Sequence, residues 1–441
     1  MKDKPQAVPA TATQLGYDPI RWIWVESSVW TNRMLETLEQ GVKGGVWFSL
    51  IDKVYSERCL FAATCQVVKN QGAPGIDRVT VEDFGEWREE EVEKLSAQLR
   101  TGQYRPQPVR RVHIPKPGTK DTRPLGIPTV RDRVVQASVV KVIEPIFERD
   151  FAEHSYGFRH GRGCKDALRR VDQLLKAGYT HVVDADLKSY FDTIPHDRLI
   201  ARLRTKISDG RLLALIETFL HAGIMDGLRE WTPTEGAPQG AVLSPLLSNI
   251  YLDPLDHMMA ARGFEMVRYA DDFVILCRTA EDAAAALEIV REWTSDNGLT
   301  LHPTKTRIAD AVTEGFGFLG YTFRKGKHFP RTKSLKKLKD TIRAKTRRNR
   351  GDSMERIIIT VNDTLRGWFG YFKHSPRSYL HPLDQMVRQR LRTILRRRDG
   401  RRGRANGADN YKWPNAYFAA AGLFSLVNAR QAVLQSSLRS H

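Results

Sequence analysis

Residues Phe264 to Arg278 read FEMVRYADDFVILCR. Two apolar and aromatic flanks of strand composition enclose Tyr269, Ala270, Asp271 and Asp272, so the stretch is expected to form a β-hairpin with two carboxylates at its tip. Adjacent carboxylates repel each other unless a cation lies between them, and a hairpin tip exposes them enough to hold one. Taken alone, an Asp-Asp pair also suits an ordinary acidic turn. A second acidic strand end changes that reading. In His181 to Asp192, HVVDADLKSYFD, Val182 and Val183 suit a buried strand, and Asp184, Asp186 and Asp192 follow close together at its edge. A sheet that sets Asp186 beside the hairpin tip would bring three carboxylates to one point. Ligands offering only oxygen suit Mg2+ or Mn2+ rather than zinc or copper. Two such ions ~3.5–4 Å apart stabilise the attacking and leaving oxygens of nucleotidyl transfer.

Composition sets the bounds around this pair. A chain of 441 residues is long enough for two or three domains. No stretch approaches the roughly 20 unbroken apolar residues of a membrane span, and the first residues lack a signal-peptide core, so a soluble intracellular protein is expected. The 4 cysteines are scattered, without a C-x-x-C pair, which argues against a zinc module or a disulfide framework. The net charge of +19 is localised. Residues 1–320 carry 41 Lys and Arg against 44 Asp and Glu, whereas residues 321–404 carry 26 against 6. A bland solvated surface would mix its signs, so the late basic region is the footprint of a protein that binds a phosphate backbone.

Further blocks lie on either side of the carboxylates. Met1 to Gly16 is polar and offers little to pack, and is expected to be disordered. In Arg110 to Pro128, RRVHIPKPGTKDTRPLGIP, two strand-like runs flank a Pro-Gly loop, so a second hairpin is expected. Lys116 and Arg123 would project from it towards a common point, where a point charge and a fork make a sensible clamp for β- and γ-phosphates. Glu235 to Asn249, EGAPQGAVLSPLLSN, reads as a loop whose glycines admit a ligand close to the backbone, followed by a helix with Pro245 in its first turn. Asp192 is expected to cap the turn before a helix opening at His196. Ala280 to Asn297 reads as a helix, and Phe316 to Phe323 as a strand pair. Between Arg331 and Arg398, three apolar stripes (Leu335, Leu338, Ile342; Ile357, Val361, Leu365, Trp368; Leu383, Val387, Leu391, Ile394) mark three helices that pack together and turn their cations outward.

Taken in order, these motifs make the chain resemble the reverse transcriptase and maturase proteins encoded by bacterial group II introns, from about Gln71 to Ser425. The resemblance implies that Asp186, Asp271 and Asp272 are catalytic and bind two Mg2+ ions, with Mn2+ an alternative. It implies that Lys116, Arg123, Gln239 and Gly240 meet the incoming dNTP, and that Phe191 lies beneath its sugar as a steric gate against a 2′-hydroxyl. Lys305 would stand near enough to protonate the departing pyrophosphate. Phe158 and Arg159, in the loop HSYGFRHGRGC, would serve the nucleic acid by stacking and phosphate contact. Tyr269, Lys333, Lys336, Lys337, Arg343, Arg347, Arg348, Arg397 and Arg398 complete the expected nucleic-acid surface.

The implied fold class is α+β, a right-hand polymerase. An N-terminal extension would span residues 1–70, fingers 71–180, a palm with a small antiparallel sheet 181–324, a helical thumb or maturase domain 325–404, and a tail 405–441. The implied function is an RNA-directed DNA polymerase that also binds its intron RNA and assists splicing and retrohoming. Its partners would be group II intron RNA, an RNA template with a DNA primer, target DNA and dNTPs, in the bacterial cytosol or nucleoid and without a membrane. Many relatives carry a further DNA-binding segment and a His-Asn-His endonuclease. This chain stops before that point, which implies insertion from a primer already present. A pure RNA-binding splicing factor would have no need of the carboxylate triad. A reverse transcriptase domesticated for defence or repair would share every catalytic residue.

Overall fold

The computed structural model of the protein describes residues 18–42, 44–115, 122–349 and 351–438. The segment expected to be disordered, Met1 to Gly16, and the expected clamp residue Lys116 both lie outside the described residues. The strands are β1 (Val109–Pro115), β2 (Thr122–Ile127), β3 (His181–Asp186), β4 (Ile224–Asp226), β5 (Arg229–Trp231), β6 (Glu265–Tyr269), β7 (Asp272–Cys277), β8 (Arg307–Asp310), β9 (Phe316–Phe318), β10 (Tyr321–Arg324) and β11 (Lys327–Pro330). Internal contacts divide the chain into two compact units, residues 1–171 with 185–307, and residues 172–184 with 308–441.

In the first unit, β1 and β2 form the expected antiparallel hairpin, in register from Arg110 opposite Ile127 to Pro115 opposite Thr122. β4 adds to β1 in parallel and β5 closes the order β2–β1–β4–β5. The β4–β5 hairpin turns on Gly227, whose φ of +63° suits the first loop position of a tight turn. The core is supplied by the helix Val130–Glu148, which buries Val134, Val135, Val139, Val142 and Ile143.

The second hairpin of this unit is built from β6 and β7, with Tyr269 opposite Asp272 and a two-residue turn of Ala270 and Asp271. The helix Ser244–Ala261 packs on β6 and the helix Ala280–Asp296 on β7.

In the second unit, β10 pairs antiparallel with both β9 and β11. The three expected helices are present as Thr332–Lys345, Met354–Phe372 and Arg377–Arg398. Their stripes meet in one core that contains Leu338, Ile342, Val361, Leu365, Val387 and Leu391, closed by Trp413 and Phe418 from the tail. Burying the apolar faces is what holds these helices, because short helices in water are marginal without tertiary packing. The same arrangement leaves Lys333, Lys336, Lys337, Arg343, Arg347, Arg348, Arg397 and Arg398 exposed.

Candidate catalytic site

The carboxylate hairpin is braced from behind by one buried cation. Arg268 on β6 is fully buried, and its Nε and Nη2 donate to the Asp256 carboxylate at 2.5–2.9 Å. Its Nη1 donates to Asn249 Oδ1 at 3.0 Å and to the Ala270 carbonyl in the turn at 2.9 Å. Ala270 holds φ +58°, a left-handed conformation that L residues seldom adopt without compensating contacts, and the Arg268 bond is one such contact.

A loop segment closes over the same turn. Arg268 N donates to His154 O at 3.0 Å and Tyr156 N to Arg268 O at 2.9 Å, which seats residues 154–156 along β6. Gly157 follows, and Asn249 Nδ2 donates to its carbonyl at 2.8 Å. A Cβ on Gly157 would lie 2.2 Å from Ala270 N, so only glycine fits against the turn.

Asp186 ends β3. Its carbonyl accepts from His302 N at 2.7 Å, and Lys188 N donates to Thr300 O at 2.8 Å, so residues 300–305 run beside the strand end. The Lys305 ammonium is thereby delivered to Asp186 Oδ2 as an ion pair. Burial pushes the Asp271 carboxyl above its ordinary range, and the nearby charge of Asp186 adds to the rise, while Arg123 and Arg268 oppose it. Among the described residues, no three His, Cys, Asp or Glu side chains stand close enough to hold a metal ion. The expected three-carboxylate cage is therefore not preformed. Asp271 lies in the turn and Asp272 begins the strand. A carboxyl raised by burial and by a second carboxylate is nonetheless what a hard cation relieves, so Asp186 and Asp271 fit Mg2+ or Mn2+ as oxygen ligands.

The other expected site residues gather around the β1–β2 hairpin. Arg123 is exposed on β2, and its Nε donates to Gln239 Oε1 at 2.8 Å. Gly126 N donates to Gln239 O at 2.6 Å, laying the EGAPQG loop along β2. Gly240 has φ +107°, and a Cβ there would come within 2.4 Å of Gly126 O, so the glycine is obligatory. The loop is also stitched to the segment after Asp186: Ala237 N donates to Phe191 O at 2.6 Å and Gly236 N to Ile194 O at 2.8 Å. His196 Nε2 lies 2.6 Å from Gly236 O and must be the donor, because a carbonyl only accepts. Phe191 is buried, with its ring 5.4 Å from that of Tyr190, yet it lines a cavity of about 420 Å³ together with Arg111, Asp192, Trp231 and Gln239.

Two sequence expectations are corrected. Arg159 is not available to phosphate: it is 7 % exposed, and its Nε and Nη2 donate to Glu148 at 2.7–3.0 Å while Nη1 holds the carbonyls of Ala152 and Ser155. The guanidinium is spent on closing its own loop. Asp192 caps no helix, since the helix His196–Arg204 begins after Pro195 without a side-chain cap, and the Asp192 carboxylate instead lies within the fields of Arg111 and Arg123. Phe158 is 48 % exposed, with φ +58°. The Tyr269 hydroxyl bonds to Cys164, which together with burial pushes it up to about 12.

Arg268, Gly157, His196 and the β4–β5 hairpin were not anticipated as parts of the site. A lone arginine among the apolar residues of β6 and the Asp226-Gly227 pair were the available signals.

Residues 114–323 match the family model of reverse transcriptase (RNA-dependent DNA polymerase), and residues 335–412 match the group II intron, maturase-specific domain. The chain is 36% identical over 295 residues to Protein YkfC of Escherichia coli, covering 57% of this chain and 76% of that one. It is 40% identical over 198 residues to the group II intron-encoded protein LtrA of Lactococcus lactis, covering 44% of this chain but only 32% of LtrA. It is 29% identical over 339 residues to the putative COX1/OXI3 intron 1 protein of Saccharomyces cerevisiae, covering 64% of this chain and 40% of that one. These matches put the chain among proteins with a reverse transcriptase domain. More narrowly, the chain belongs to the family of group II intron reverse transcriptases and maturases.

Proposed function

We propose that the chain is an RNA-directed DNA polymerase that also binds group II intron RNA as a maturase. What supports this reading is the match of residues 114–323 to reverse transcriptases and of residues 335–412 to the maturase-specific domain, together with Asp186 at the end of β3, Asp271 in the β6–β7 turn and Arg123 bonded to Gln239. Asp186, Asp271 and Asp272 are the residues that would hold Mg2+ or Mn2+, with Asp272 drawn in from the start of β7. Two bound ions would lower the pKa of a primer 3′-hydroxyl and offset charge on the pyrophosphate.

The protein's own side chains do the rest. Arg123 and Lys116 would hold the triphosphate, Gln239 would orient Arg123 and meet the nucleotide, and the Gly240 backbone would admit it closely. Phe191 would fill the space that a ribonucleotide 2′-hydroxyl needs, and Phe158 would stack on a template base. Tyr269 would contact the nucleic acid, and the strand pair Phe316 to Phe323 would grip the primer end. Lys305, which pairs with Asp186, would give a proton to the departing pyrophosphate. In this reading the residues before 71 form an N-terminal extension, 71–180 act as fingers, 181–324 as palm and 325–404 as the nucleic-acid-gripping thumb, followed by the tail.

The exposed cations Lys333, Lys336, Lys337, Arg343, Arg347, Arg348, Arg397 and Arg398 would bind the phosphates of template–primer and intron RNA. Target DNA and dNTPs are the remaining partners, which fits a bacterial cytosolic or nucleoid location. No helix among the described residues is long and apolar enough to cross a membrane.

Extension of oligo(dT) on poly(rA) with dTTP and Mg2+ tests the reading. The wild type should extend the primer and Asp271→Ala should not; equal extension by both would refute it.

A further inference from the structure

The second unit holds a pocket of about 310 Å³ whose wall contains Arg343, Arg348, Arg390 and Arg404, with Thr346 and Gln389 beside them. Among the described residues no carboxylate lines it. Arg390 is fixed in place: its Nε donates to Thr346 Oγ1 at 2.5 Å, and its Nη2 to the carbonyls of Thr346 at 2.9 Å and Arg343 at 3.1 Å. Burial and the three neighbouring arginines all act to lower its guanidinium pKa. Elsewhere in this unit one arginine meets a buried acid and another only neutral acceptors. Arg396 meets Asp409 at 2.8 Å, and Arg392 bonds the Trp413 carbonyl and Asn415. Among the described residues, Arg343 is the one of these four arginines seen with an acid, the exposed Asp340 at 2.6 Å. Four like charges around one concavity repel unless they share an anion.

We propose that this pocket clamps one backbone phosphodiester of a structured RNA, held between guanidinium forks rather than by diffuse charge. The proposal deepens the RNA-binding reading above and rests on it. The pocket lies within a stretch, residues 321–404, carrying 26 Lys and Arg against 6 Asp and Glu. A polyanion satisfies both the pocket and its basic surroundings, whereas a small free anion would neutralise the pocket alone. Forked donors matter because a guanidinium can offer two parallel N–H groups to one phosphate and an ammonium cannot.

The test is fluorescence anisotropy of a labelled RNA stem-loop bound to the full chain over a salt series. Arg348→Gln/Arg404→Gln removes two exposed pocket cations, and Lys336→Gln/Lys337→Gln removes two exposed cations outside it. Both variants should melt with the wild type. The pocket variant should lose roughly tenfold or more in affinity at fixed salt and the control about threefold or less, although each gives up a similar amount of the salt slope. Arg348→Lys/Arg404→Lys should restore the slope but not the affinity. Equal losses in pocket and control variants, or full rescue by lysine, would overturn the clamp. A wild type that fails to bind the stem-loop would instead sink the RNA-binding reading itself.

Discussion

Arg123 Nε donates to Gln239 Oε1 at 2.8 Å, joining the β1–β2 hairpin to the EGAPQG loop across 116 residues of sequence. The bond fixes the direction of an exposed guanidinium that would otherwise sample many rotamers. Gln239→Ala should therefore raise the KM for dNTP by roughly threefold to tenfold, because a hydrogen bond to a charged group is worth about 1.5–3 kcal/mol and exposure reduces it. The kcat should change less. Steady-state extension at varied dTTP measures both.

Gly157 is fitted against the carboxylate turn so closely that a methyl group would lie 2.2 Å from Ala270 N. Gly157→Ala must displace either the loop or the turn. Misplacing reacting groups by about 1 Å can cost about a hundredfold in rate, so kcat should fall by at least tenfold while far-ultraviolet circular dichroism stays native. Unchanged kcat would show that the turn tolerates displacement.

Arg268 and Asp256 form an ion pair with side chains 0% and 5% exposed. Removing one member strands the other in the core, which costs about 3–5 kcal/mol. Arg268→Met should show that loss in urea unfolding, together with loss of extension activity, because the Ala270 carbonyl loses its donor.

His196 holds the Gly236 carbonyl, and burial moves its pKa below the ordinary 6.5, with His221 adding to the fall and the Gly236 bond opposing it. A group that prefers to be neutral when folded contributes fully above about 6.5, and that contribution declines as pH drops through this value, where the unfolded chain takes up the proton first. Wild-type urea midpoints should therefore fall between about pH 7.5 and about pH 5.5. His196→Gln keeps a donor for Gly236 and should show a smaller fall. Parallel curves for the two proteins would exclude His196 as the source.

Both hairpins, the three late helices and the basic region were legible in the sequence because each rests on a local signal: alternation, a Pro-Gly or Asp-Asp turn, a helical stripe, a run of charge. Arg159 was misread because its type suits phosphate equally well, and only the fold brings Glu148 to it. Arg268 shows the same limit from the other side, since its partners Asn249 and Asp256 lie on a helix that sequence spacing alone does not bring against β6. Asp186 ends β3 while Asp271 and Asp272 stand at the tip of the β6–β7 hairpin, and sequence spacing does not fix how they lie relative to one another. The Lys305 pairing with Asp186 depends in turn on residues 300–305 folding back along β3.

The central claim is that Asp186 and Asp271 share a divalent ion. Mn2+ titration followed by electron paramagnetic resonance, on the wild type and on Asp186→Asn and Asp271→Asn separately, measures it without reference to turnover. The wild type should show saturable Mn2+ binding that is weakened at least tenfold by either substitution. If either variant binds Mn2+ as tightly as the wild type, the two carboxylates do not form one site.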